Sequence, residues 1–454
     1  MGWAFRAFVA AALALLFVAG GSTHAGRVNT SKARGDQSGY LQDAKNIYAN
    51  WHETGAPRLI GERNRMPLYP AVLLLAYDPW RSDDTFFERA KRLNIYLALL
   101  LLGAVWWLVA RTLTAHAAAN LTGVAAFGWF VFKAGYSQSE LLFYTFFFAA
   151  FLACTSLFSR RPRPGLLPRA AVAGGLCGLA HLTKAATLPF VGLTLAIGLA
   201  WAVSPVAAPR HTADGTRAAT VRVRMSAIAL LAAVFLLCLW PYISTSKRVF
   251  GSYFYNVNST FYAWYDSWPQ ASVGTALHGD GAHFPDMPAA ELPGPSRYWR
   301  AHTTAQIVAR MNGGFRDMGV VLRRDFDLLP YLGLYLGTAL LLMVARPRAA
   351  AHLVAERAWQ SVFVAVYGVT YLLATAFYHP ISGTGTGRFL LAHALPLFYV
   401  LARFIASDRF SDLEGRIAGV RLVPAHFDRA VTTVLLFNCA VRLWPRLMGT
   451  YGGF

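Results

Sequence analysis

Apolar runs of about 18 to 22 residues recur along this chain, and a run of that length crosses the hydrocarbon core of a bilayer as an α-helix. Lipid offers no hydrogen-bond partners, so each run must satisfy its own backbone, and a helix bundle follows. The runs lie near 4–21, 93–111, 117–134, 139–158, 169–183, 185–203, 225–245, 328–345, 359–378, 388–406 and 429–445. They predict an all-α polytopic membrane protein with about 11 transmembrane helices. Between the fifth and sixth runs, "HLTKAATLP" sets Lys184 and Pro189 inside one long apolar stretch, which favours a break over a single helix. Composition agrees: 56% of residues are hydrophobic and only 14% are charged, too apolar for a soluble domain. Residues 1–21 resemble a signal peptide, with Arg6 before an apolar core and "AGGSTHA" after it. We read them as an uncleaved first helix, because the run is long enough to span.

The formal net charge is +20. In a soluble chain this would point to nucleic acid, but the arginines fall between apolar runs, and the chain has no nucleic-acid motif and no Walker-type loop. Topology accounts for them. The short segments 159–169, 208–224 and 346–357 are basic, and all three face one side if eleven helices alternate. Short basic loops stay in the cytoplasm. The amino terminus is then cytoplasmic, the terminal "YGGF" lies outside, and two long helix-containing loops, 22–92 and 246–327, face outward within a single domain spanning 1–454. The second loop is dense in aromatics ("GSYFYNVNSTFYAWYDSWP"), which suits an interfacial belt or a surface that binds sugar or lipid. Its "NST" at 258–260 has the form of a glycosylation sequon, which has no role in a bacterium. Cys154, Cys177, Cys238 and Cys439 lie inside apolar runs without metal-ligand spacing, and read as small packed residues.

Five charged groups sit at the predicted outer ends of helices. Asp36 opens "DQSGYLQDAKNIY", and Asp43 follows two helical turns later, so both can share a face. A carboxylate there is also an ordinary helix cap. Glu140, in "SQSELLFYTFFF", follows a very short turn, and is either a dipole partner or a site residue. Arg65, between Gly61 and the turn-fixing Pro67 and Pro70, has the fork that suits phosphate, or is a surface arginine. Lys184 at the helix break is costly in lipid without an anion or a wet cavity, whereas the nearby His181 reads as a packed core residue. Arg388 follows "GTGTG" at a helix start, where loop amides and a guanidinium can hold phosphate. Together they set two carboxylates and three cations on one face.

Motifs in this order resemble the GT-C membrane glycosyltransferases, similar to protein O-mannosyltransferases and lipid A aminoarabinose transferases. The resemblance runs from the first outer loop to about residue 406. It rests on "GDQSGY", "RMPLYP", "FFERAKRLNIYLALL", "SELLFYTFF", "GLAHLTKAATLPF" and "GRFLLAHALP". It implies Asp36 as catalytic base, Glu140 as the second acidic site residue, and Arg65, Lys184 and Arg388 near the donor phosphate. Tyr40, Asp43, Tyr69 and His379 are further candidates. Gln37 departs from the pattern, standing where many relatives carry a second acid, and the large soluble C-terminal domain of some relatives is missing.

The function expected is inverting transfer of a sugar from a polyprenyl-phosphate donor. The acceptor is a hydroxyl or amine on a glycolipid, a glycan or a protein. The site faces the periplasm of a bacterial inner membrane. The donor is a substrate, no cofactor is implied, no metal site is assigned, and a metal requirement is left open. The alternatives are a transporter or flippase for a lipid-linked or anionic solute, and a polysaccharide polymerase.

Overall fold

The computed structural model describes residues 3–57, 59–61, 65–159, 165–204, 214–324, 328–382, 386–410, 415–417, 420–422 and 424–449. Parts of the basic segments 159–169 and 208–224, the glycines of "GTGTG" at 383 and 385, and the terminal "YGGF" lie outside these residues. The chain is an all-α polytopic membrane protein. Among the described residues, nine helices are long and apolar enough to cross a bilayer, and a bent pair brings the number to ten. The only sheet among them is a small antiparallel hairpin, β1 (Gly415–Ile417) with β2 (Val420–Leu422).

The helices that position the site are α1 (Trp3–Arg27), α2 (Gln37–Thr54), α3 (Leu68–Leu73) and α4 (Asp83–Ala110). After them come α5 (Ala115–Ala134), α6 (Glu140–Leu157), α7 (Leu166–Thr183), α8 (Leu188–Val203) and α9 (Asp214–Phe250). The C-terminal half holds α10 (Thr304–Arg324), α11 (Leu329–Ala345), α12 (Pro347–Glu356), α13 (Ala358–Ser382), α14 (Thr386–Ile405) and α15 (Pro424–Phe437). Their ends are chemically marked. Ser82 accepts from Thr85 N–H at the start of α4, where Asp83 and Asp84 also meet the positive end of the dipole. Thr114 caps α5 in the same way. The core is aromatic, with Trp129, Tyr144, Phe147, Phe148 and Tyr335 sealed from the surface. Leu100, Leu237 and Val344 stay on the outer faces, where a bilayer rather than water would cover them.

Two expectations change and one holds. The basic segment 346–357 is helical: α12 turns by 107° from α11 at Arg346–Pro347, where proline cannot continue the preceding helix. The run at 429–445 is not among the nine apolar spans. Its helix passes through a π segment (Asn438–Leu443), and Arg429, Arg442 and Arg446 interrupt its apolar face. The predicted break at Lys184 is present: Thr183 ends α7, Lys184 is extended, and a 3₁₀ turn (Ala185–Thr187) leads into α8.

The long loops are built. The first carries α2 and α3. The second carries short helices at Val257–Thr260, Trp268–Val273 and Pro295–Ala301, then α10. Cys154 and Cys177 pack with their sulfurs 3.8 Å apart in the core, as small buried residues do.

Candidate active site

Four of the five singled-out charges meet where the starts of α2, α6 and α14 and the end of α7 come together. Asp36 occupies the N-cap position of α2, yet its side chain caps nothing. It accepts instead from Arg388 Nη1 at 2.7 Å. The same nitrogen lies 3.5 Å from Glu140 Oε1, which takes a 3.0 Å bond from Lys184 Nζ. The set is Asp36–Arg388–Glu140–Lys184, two negative and two positive. The capping reading of Asp36 fails because a guanidinium on α14 outcompetes the backbone for its carboxylate.

Exposure sorts these groups. The Asp36 side chain is 41% exposed and Arg388 29%, whereas Glu140 is 2%. Asp36 is open to a reactant. Glu140 sits behind it and ties two cations together. Both Arg388 bonds use Nη1, so Nε and Nη2 make no hydrogen bond among the described residues. Two donors on one plane match two oxygens of a phosphate. Lys184 lies between the Phe143 and Phe389 rings, at 5.9 and 5.7 Å. Its break in the helix is what aims the ammonium at Glu140.

Arg65 and Asp43 belong elsewhere. They pair with each other at 3.6 Å, with side chains 15% and 2% exposed. Asp43 therefore does not join Asp36. Glycine makes the space: a Cβ on Gly39 would stand 2.1 Å from the Arg65 guanidinium carbon, and one on Gly61 would stand 2.6 Å from the Asp43 carboxylate. Tyr40 lies between the two charged groups. Its ring is 5.6 Å from the Arg65 guanidinium, and its hydroxyl is 2.7 Å from Ser139 Oγ, next to Glu140. Tyr69 meets the Tyr40 ring edge-on and donates to Asn94 Oδ1 at 3.2 Å. Burial, with the nearby Glu140 carboxylate, pushes both phenols above their ordinary range, so they stay neutral. His379 pairs with Asp317 on α10.

The sequence reading missed a buried polar layer under the cluster. Lys91 donates to Ala25 O and Asn29 O, closing the end of α1. Asn94 donates to Ala134 O and Tyr136 O, closing the end of α5. Both stand three residues apart at the apolar entry "FFERAKRLNIYLALL". Polar groups at helical spacing in such a run were the available signal. Gln37, expected as a departure from an acidic pair, points into this layer. Among the described residues, no three His, Cys, Asp or Glu side chains group closely enough to hold a metal ion.

No protein-family model matches the chain, and no curated protein matches it. Among solved structures, it is similar to the archaeal oligosaccharyltransferase AglB from Archaeoglobus fulgidus, determined in complex with an inhibitory peptide and a dolichol-phosphate. The TM-score is 0.45 with 12% identity, and the likeness covers 100% of this chain and 57% of that one. This chain thus spans little more than half of AglB's length.

Proposed function

We propose that this chain is a membrane glycosyltransferase that moves a sugar from a polyprenyl-phosphate donor to an acceptor hydroxyl or amine on the periplasmic face of a bacterial inner membrane. One observation carries the reading: a half-exposed carboxylate, Asp36, lies 2.7 Å from Arg388, whose guanidinium is also tied through Glu140 to Lys184. A base and two cations within one set are what inverting transfer from a phosphate leaving group needs.

The donor phosphate takes Nε and Nη2 of Arg388, with Lys184 as the second cation. The acceptor hydroxyl lies against Asp36, which removes its proton as the oxygen attacks the anomeric carbon. The bond from that carbon to the phosphate oxygen breaks, and the charge that develops on the departing phosphate is met by Arg388 and Lys184. General-base placement contributes about a hundredfold or more. A single carboxylate at the acceptor suffices for inversion, unlike the pair in glycoside hydrolysis. Glu140 is too buried to reach the acceptor and acts by holding the cations. Arg65, paired to Asp43, supports the first outer loop and is not a phosphate ligand in this reading.

The test is to incubate purified protein with labelled polyprenyl-phosphate sugars and a membrane extract. Free polyprenyl phosphate together with a labelled acceptor supports the reading, and the labelled species names the acceptor class. Movement of intact donor across proteoliposome membranes with no transfer would replace it with the flippase reading.

A further inference from the structure

Gln37 is completely buried, one residue from the base, and its amide is saturated. Its Oε1 accepts from Asn29 Nδ2 at 2.8 Å and from Ser137 N at 2.9 Å. Its Nε2 donates to Asn29 Oδ1 at 2.8 Å and to Arg34 O at 3.0 Å. The backbone N–H of Ser137 and the carbonyl of Arg34 fix which way the amide faces. Asn29 Nδ2 also reaches Gly135 O at 2.8 Å. The reciprocal amide pair therefore joins three segments: the stretch two residues past the α1 end, the turn that carries Asp36, and the 135–139 connector that leads into Glu140. In that turn, Gly35 has φ +66°, and a Cβ there would stand 2.7 Å from Gln138 Nε2, so turn and connector are in close contact on that side as well.

We infer that the Asn29–Gln37 pair is a positioning device that sets the spacing between Asp36 and Glu140, so that one Arg388 nitrogen can serve both carboxylates. This rests on the glycosyltransferase reading and deepens it. A carboxylate at 37 has the right shape and the wrong pattern. When ionised it accepts only, and Asn29 Oδ1 and Arg34 O would both face it with no proton between. When protonated it offers one O–H donor and one acceptor, close to the amide pattern. The Gln37→Glu variant should then misplace the base at neutral pH and recover as pH falls. The charged groups next to the pair are Lys91 from α4, through Asn29 O, and Lys32, Arg34 and Asp36 from the turn. The connector contributes Tyr136 and leads into Glu140, α5 contributes Lys133, whose carbonyl accepts from Tyr136 N–H at 3.0 Å, and α1 contributes His24, whose carbonyl accepts from Asn29 N–H at 3.3 Å.

The experiment measures steady-state transfer by wild type, Gln37→Glu, Asn29→Ala and Asp36→Asn across a pH series, after a monodispersity check on each. Asn29→Ala removes the partner without burying a charge, so it remains informative if Gln37→Glu does not fold. We expect kcat to fall about tenfold or more in Gln37→Glu and Asn29→Ala, with donor KM within about twofold of wild type, as for a displaced catalytic group. The ratio of Gln37→Glu to wild type should rise toward acid pH, whereas that of Asn29→Ala should stay flat. Folded variants with wild-type kcat at every pH overturn the positioning role, as does loss of folding in both without a kinetic change in any folded fraction. If Asp36→Asn keeps wild-type transfer, or wild type transfers nothing, the glycosyltransferase reading itself falls, whatever Gln37 does.

Discussion

Two carboxylates seven residues apart on the first outer loop each meet a guanidinium, in different surroundings. Asp36 meets Arg388 at 2.7 Å with side chains 41% and 29% exposed. Asp43 meets Arg65 at 3.6 Å with side chains 2% and 15% exposed, in a notch that Gly39 and Gly61 leave open. An accessible pair can exchange a partner for a ligand at little cost, because water or substrate replaces what is lost. A sealed pair cannot, since removal of one member strands a buried charge. The same pairing is thus open to a ligand in one place and sealed in the other, and exposure makes the difference.

The comparison breaks most sharply at Arg388. Arg388→Ala removes the shared donor of both carboxylates and one proposed phosphate ligand, and transfer should fall by about 10²–10³-fold, with a smaller loss of melting temperature because Glu140 keeps its bond from Lys184. Arg388→Lys keeps the charge but not the fork, and should lose about 10-fold or more. A steady-state assay that finds Arg388→Lys fully active would remove the bidentate phosphate site. The clamp should answer in the opposite way. Asp43→Ala removes the buried carboxylate that faces Arg65, and thermal unfolding should show a loss of about 3 kcal/mol, while kcat per folded molecule falls far less than in Arg388→Ala. Gly39→Ala drives a methyl into the guanidinium and should cost about 1–3 kcal/mol. An unchanged melting temperature in both would show the clamp to be dispensable.

A smaller effect tests exposure at the second outer loop. His302 has acceptors at both ring nitrogens, Tyr298 O at 2.9 Å and Asp266 Oδ2 at 3.0 Å. The backbone carbonyl first, and then the carboxylate, raises its pKa above the usual imidazole value. A raised folded-state pKa gives stability that is full below the unfolded value, near 6.5, and is lost as pH rises through the folded value. The melting-temperature gap between wild type and His302→Gln should therefore narrow from acid to alkaline pH, and a pH-independent gap would refute the ion pair. The smallest effect belongs to Lys45, which salt-bridges exposed Asp83 at 3.1 Å. Lys45→Ala should change stability by no more than about 0.5 kcal/mol.

Much of this was legible in the sequence, for a physical reason. Asp36, Glu140, Lys184 and Arg388 stand at the edges of apolar runs, where charge is costly and lipid limits the choice of partners. The break at Lys184 was legible from a lysine and a proline in one run. The pairing of Arg65 with Asp43 was not legible, because it depends on two glycines that let helix and loop approach. Nothing local in the sequence announces that approach. The Asn29–Gln37 pair was hidden for the same reason: a reciprocal amide pair needs the fold before it has a geometry. Lys91 and Asn94 were within reach, as polar residues three apart at the mouth of an apolar helix. The turn into α12 could have been read from Pro347, but the charge count of the segment drew it as a loop.

The most direct test of the central claim separates donor binding from turnover in the Asp36→Asn variant. Wild type and variant are mixed with excess labelled polyprenyl-phosphate sugar and acceptor extract, and bound donor and released polyprenyl phosphate are followed in a single turnover. The account predicts that the variant binds donor as wild type does, since Arg388 and Lys184 remain, and that transfer falls about a hundredfold or more. Release of polyprenyl phosphate at the wild-type rate would show that Asp36 is not the base and would contradict the account.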